Sequence, residues 1–141
     1  MAQFEFSGID DLILSMEQVE ALPEYLVDAI LTEQAEVLAE EIRLRGKGYG
    51  VEDSGKLLSS IKPGKPKKGK KGGRQIVVSA RGSRKRGNRK VNNGEIAFLN
   101  NYGTRYQKAR PFWSDAESMS EQTMRRVARE IYDRWLTKLG L

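Results

Sequence analysis

A chain of 141 residues can bury one hydrophobic core but is too short for two well-packed ones, so a single domain over 1–141 is expected. It has no cysteine and no histidine, which excludes disulfides, thiolate metal sites and Ser/His or Cys/His nucleophiles, and removes the commonest general base. The net charge of +6 is segregated: residues 1–61 hold 4 Lys/Arg against 13 Asp/Glu, residues 62–90 hold 13 Lys/Arg and no acid, and residues 91–141 hold 8 against 6.

The opening residues, Met1 to Phe6, lack a basic segment followed by an apolar one, and no run approaches the roughly 18 apolar residues of a membrane span. The expectation is a soluble chain that stays in the cytosol, or leaves it by a route that needs no signal, and engages no membrane. The acidic doublets Asp10-Asp11 and Glu40-Glu41 read as solvated helix faces rather than as a tuned catalytic pair. Neither GKGYG nor KKGKKGG matches a phosphate-binding loop, which needs a lysine and a Ser/Thr opening a helix after an apolar strand. A binding or assembly protein without cofactor is expected, rather than an enzyme.

Along the chain, Phe4 and Phe6 alternate with polar neighbours as a short extended start. Ile9, Leu12, Ile13, Met16 and Val19 then recur at three- and four-residue steps, the spacing of a helix ending near Leu22. Pro23 opens a second helix. Leu26, Ile30, Val37, Leu38 and Ile42 form its apolar face, with Ala29 and Ala35 beside them, and Gly46 reads as its stop after Arg43 and Arg45. Asp53 or Ser54 can cap a short helix carrying Leu57, Leu58 and Ile61, ended by Pro63.

Residues 62–74 (KPGKPKKGKKGGR) contain no large apolar side chain, so a flexible basic loop is expected there. Gln75 to Arg81 is β-branched and reads as a strand. A second polar loop over 82–94 follows, with Asn93-Gly94 as a turn signal. Residues 94–104 fit a strand or a short helix, broken at Gly103. Ser114 with Glu117 three residues on has the pattern of a capping box just after Phe112-Trp113. The helix behind it carries Ala116, Met119, Met124, Val127, Ile131, Trp135 and Leu136 on one face.

The basic centre admits three readings. Lys65, Lys67, Lys68, Lys70, Lys71, Arg74, Arg84, Lys85, Arg86, Arg89 and Lys90 can neutralise phosphates or meet an acidic protein surface. They can also form a solvated segment whose charge keeps hairpin edges from pairing. No aromatic residue is interleaved to stack on single-stranded bases.

Three separated motifs carry a more specific signal. SGKLLSSI (Ser54 to Ile61), NYGT (Asn101 to Thr104) and ARPFW (Ala109 to Trp113) occur in the order and spacing of a "TG-x-L-x-x-S-I" segment, an "E-F-G-T" turn and an "A-R-P-F" element. In this the chain resembles the tail-completion and head-to-tail joining proteins, the minor tail components of long-tailed bacteriophages. Asn101 stands where that family commonly has an acid, and Asp115 where a proline often follows ARPF. The resemblance implies an α+β domain in which a small antiparallel sheet with a long basic hairpin packs against long N-terminal and C-terminal helices. It also implies a homo-oligomeric ring, a hexamer, at the head–tail junction of the virion, built in the host bacterial cytoplasm. Other neck or tail proteins would be its partners, with double-stranded DNA passing through or near the ring. Gly55, Leu57, Ile61, Tyr102, Gly103, Thr104, Arg110, Pro111 and Phe112 are the family-motif positions. The charge segregation adds a physical suggestion, that one subunit's basic loop meets the next subunit's acidic helices.

Overall fold

The computed structural model describes the backbone of residues 2–7 and 11–16, and residues 22–51, 56–69, 73–86 and 88–140, without the side chains of Arg84 and Arg86. Its centre is helix α1 (Glu24–Tyr49), which packs on the antiparallel helix α4 (Phe112–Lys138) and on a β-sheet. The result is an α+β fold.

Two buried stripes explain the position of α1. Leu26, Val27, Ile30, Leu31, Ala35, Leu38, Ala39 and Ile42 are all buried, an arc too wide for a helix covered from one side only. Gln34, also buried, donates from Nε2 to the Met124 carbonyl of α4 at 2.9 Å. Polar contacts close the helix pair at both ends: Trp135 Nε1 donates to Tyr25 Oη at 2.8 Å, and the Tyr49 hydroxyl donates to the Asp115 carboxylate.

The sheet is built around β5 (Arg74–Ala80). Ile76, Val78 and Ala80 are buried while Val77 and Ser79 are half-buried, the period-2 alternation of a strand with its apolar face on a core. On one side β5 pairs with β2 (Asp11–Met16), and β2 pairs in turn with β1 (Ala2–Ser7). On the other side lie two short segments end to end, β3 (Ile61–Pro63) and β4 (Lys67–Lys68). A separate two-stranded ribbon, β6 (Ser83–Arg86) with β7 (Arg89–Asn92), leads into α3 (Asn93–Tyr102). Helix α2 (Lys56–Ser59) is a single turn beneath α1.

Several expectations need correction. Residues 11–16 form a strand, not a helix: Leu12 and Leu14 pair opposite Val78 and Ile76, so their alternation, continuous with that of Phe4 and Phe6, outweighs the three- and four-residue spacing. Ile9 and Val19 lie outside the described residues. Helix α1 does not stop at Gly46. It runs on to Gly50, whose φ of 67° makes the left-handed cap, while Gly46 is buried where a Cβ would come within 2.4 Å of Leu58 Cδ2. That glycine is there for close packing of α2, not for termination. Helix α2 ends at Ser59, well before Pro63. Its expected caps, Asp53 and Ser54, lie outside the described residues.

The basic stretch 62–74 is largely hairpin. Gly64 N donates to Val77 O at 2.7 Å and Gly69 N to Gly73 O at 3.0 Å, continuing the pairing of Ile61 with Ala80 and of Lys67 with Gln75. Ladder hydrogen bonds need no apolar side chains, and the lack of them is what misled the composition argument. Lys70 and Lys71 lie outside the described residues. The described residues of 82–94 are likewise not a loop but the ribbon and the start of α3, where Asn92 Oδ1 caps Gly94 N at 2.7 Å. The undecided segment is therefore helical. Helix α4 begins at Phe112, so Ser114 lies inside its first turn instead of capping it. Met119 is 60% exposed and leaves the apolar face.

Candidate assembly surfaces

Two motifs distant in sequence, SGKLLSSI and ARPFW, meet at the C-terminal end of α1, and the third, NYGT, is bonded to ARPFW. Leu57, Leu58 and Ile61 are buried, and Arg43 Nη1 of α1 donates to the Ile61 carbonyl at 2.6 Å. Gly55 lies outside the described residues. Arg110 Nη1 reaches the carbonyl of Gly50, the cap of α1, at 2.8 Å, while Asp115 accepts from Tyr49. That hydrogen bond, more than burial or charge, raises the Tyr49 pKa above its ordinary value.

The NYGT and ARPFW residues build the joint between α3 and α4. Gly103 has φ 80° and ψ 175°, and its N donates to Leu99 O at 2.8 Å. Thr104 Oγ1 accepts from Tyr106 N and Gln107 N at 3.1 and 3.0 Å. Arg110 N then returns to Asn100 O at 2.7 Å, and Pro111 leads into the buried Phe112. Tyr102 is the outward member of the group, exposed and with its ring 4.8 Å from that of Phe98.

Asn101 fills a role the sequence reading missed. Its Oδ1 accepts from Trp113 N at 3.0 Å and Ser114 N at 3.1 Å, and its Nδ2 donates to Ser114 Oγ at 3.0 Å. It is thus the cap of α4, supplied from twelve residues upstream, where Pro111 offers no side-chain acceptor. A carboxylate here would serve the same two donors and suit the positive end of the helix dipole. Asn101→Ala is expected to cost about 1 to 2 kcal/mol, the upper range for a lost cap, and Asn101→Asp close to nothing. Paired denaturant titrations check both.

The basic centre is not wholly turned to solvent. Arg74 is engaged internally: its Nε and Nη2 donate to Asp28 at 2.8 and 3.0 Å, with Glu24 at 3.5 Å, and the Asp28 hydrogen bond chiefly raises its pKa. Lys65, Lys67 and Lys68 are exposed at the β3–β4 edge. Lys85, Arg89 and Lys90 are exposed on the ribbon, and Arg84 and Arg86 occupy register positions opposite Val91 and Arg89. The first group flanks the start of β5 and the ribbon follows its end; exposed Lys62, opposite Ser79, and Arg81, whose guanidinium lies beside Gly64, fall between them.

The acidic counterpart lies on α1. Glu33, Glu36 and Glu40 are exposed and share one face with Tyr25 and Leu44, both exposed as well. Their spacing of three, four and seven was readable in the sequence, although only Glu40 drew notice, as a solvated position. Among the described residues no group of acidic side chains is arranged to hold a metal ion, and no helix is long and apolar enough to cross a membrane. No family model, curated protein or solved structure matches the chain.

Proposed function

We propose that this chain is a structural assembly protein of the head–tail junction of a long-tailed bacteriophage. It acts by closing into a ring and docking against other neck or tail proteins, and no catalytic step is involved. The observation that carries the reading is that SGKLLSSI and ARPFW both meet the C-terminal part of α1, Leu58 against Gly46 and Arg110 on the Gly50 carbonyl, while NYGT is bonded to ARPFW through Asn101. Residues that resemble one family in order and spacing also act together in space, as parts of one unit.

The second reading is a nucleic-acid-binding accessory protein. The exposed lysines and arginines of two hairpins without an acidic residue favour it, since such cations neutralise phosphates with a steep salt dependence. Light scattering on the purified chain separates the two. The ring reading expects a species near six times 15.9 kDa and only weak, salt-sensitive affinity for duplex DNA. A monomer at all concentrations that binds duplex DNA below micromolar concentration at physiological salt overturns it.

A further inference from the structure

We propose that the β6–β7 ribbon is the arm by which one copy grips the next, its cations lying along the Glu33–Glu36–Glu40 stripe of α1 in a second copy of this chain. The inference rests on the ring-forming reading and names its two surfaces.

The ribbon's own chemistry calls for a counter-charge. Its register sets Lys85 opposite Lys90 and Arg86 opposite Arg89, and like charges in directly opposed positions destabilise a strand pair. A two-stranded ribbon is marginal even without that repulsion. Its base is nevertheless firmly held. Asn93 N donates to Gly82 O at 3.0 Å and Asn93 Nδ2 to Arg81 O at 2.8 Å, while Val91 packs against the core. Beyond that base Lys85, Arg89 and Lys90 are exposed. The arrangement is a fixed stem with a positively charged end.

The α1 stripe has the reciprocal properties. Glu33, Glu36 and Glu40 have no ion pair among the described residues, and the nearby Arg43 guanidinium is turned to the Ile61 carbonyl. Axial steps of about 4.5 and 6 Å separate the three carboxylate positions, so they form one acidic row along the helix. Exposed Tyr25 and Leu44 at the two ends add apolar area, as a protein interface has and a phosphate-binding face does not need. A nucleic acid would satisfy the ribbon but be repelled by the stripe. A second copy satisfies both, and because the two surfaces differ the contact repeats head to tail, as ring closure requires.

The test uses the full chain and charge reversal, read by light scattering over a concentration series. Lys85→Glu with Lys90→Glu, and separately Glu36→Lys with Glu40→Lys, are each expected to raise the concentration needed for assembly at least tenfold. The chain carrying all four reversals is expected to regain ring-sized species, as is an equimolar mixture of the two double variants. Circular dichroism verifies the fold, and the milder Lys85→Ala with Lys90→Ala shifts assembly in the same direction. Unchanged assembly in both double variants, or no recovery in the folded fourfold variant, overturns the proposal while leaving the ring itself standing. A ribbon variant that keeps the ring but loses duplex DNA binding makes the arm a nucleic-acid contact instead. A wild-type chain that never assembles removes the ring-forming reading and this inference together.

Discussion

Phe112→Ala is expected to destabilise the fold by about 3 to 5 kcal/mol, the range for removing a core Phe. The side chain is 0% exposed, and its ring meets that of Trp113 edge-on at 5.9 Å between centroids. It belongs to the same buried cluster as Leu57, Ile61 and the α1 face. Collapse around the resulting cavity is restrained because the backbone leading into Phe112 is tied down. Phe112 N donates to Arg110 O at 2.7 Å, and Arg110 N to Asn100 O at 2.7 Å. Urea titration is the direct measurement, with a reduced midpoint and an unchanged slope expected. A loss below about 1 kcal/mol would mean that the ring contributes little to the core and acts as a contact for a partner.

Gly103→Ala is expected to cost about 3 kcal/mol or more, through two effects that add. At φ 80° and ψ 175° the backbone occupies a region almost reserved for glycine, where other residues incur about 1 to 3 kcal/mol of strain. A Cβ would also sit 2.7 Å from Ala109 N and 3.0 Å from both Ala109 Cα and Gln107 O. These are main-chain atoms of the loop that returns to Asn100, so they cannot swing aside as a side-chain tip can. Relief would break the Arg110 N to Asn100 O hydrogen bond and carry Arg110 away from the α1 cap. Thermal unfolding measures the stability loss. Hydrogen exchange at the Gly103 and Arg110 amides locates it, since faster exchange confined to the joint is the expected signature.

The long helices were legible because apolar residues recur on a face, and Pro23 marks where α1 begins; the start of α4 was read two residues late, at Ser114. The strand at 75–81 was legible from its β-branched run. The amino-terminal segment was misread because Leu12, Ile13, Leu14 and Met16 satisfy a helical and an alternating pattern at once. What decides between them is the edge of β5 some sixty residues away, which local spacing cannot reveal. A basic hairpin was implied by the family resemblance, but composition alone read both basic segments as loops. Their pairing is carried by the backbone, while composition reports only side chains. Within the candidate site, Gly103 was expected to end its segment, as it does, while Phe112 was named only as a motif position. Asn101 looked only like a departure from a family pattern, because capping a helix twelve residues downstream depends on how the intervening loop folds back. The acidic face of α1 was present in the spacing but gained meaning only once the opposite face was seen to be wholly buried.

The clamped base of the ribbon also bears on geometry. Asn93 joins β6–β7 to the first turn of α3, and the Gly103 to Arg110 loop joins α3 to the end of α1, so hydrogen bonds link the stem to the helix that carries the glutamate face. On the ring-forming reading, the angle between those two directions is the rotation from each copy to its neighbour. Repeated around an axis, that single angle sets the number of copies and the width of the central opening. A residue at the hinge of the arm would therefore change the diameter of the assembly without altering the chemistry of the contact.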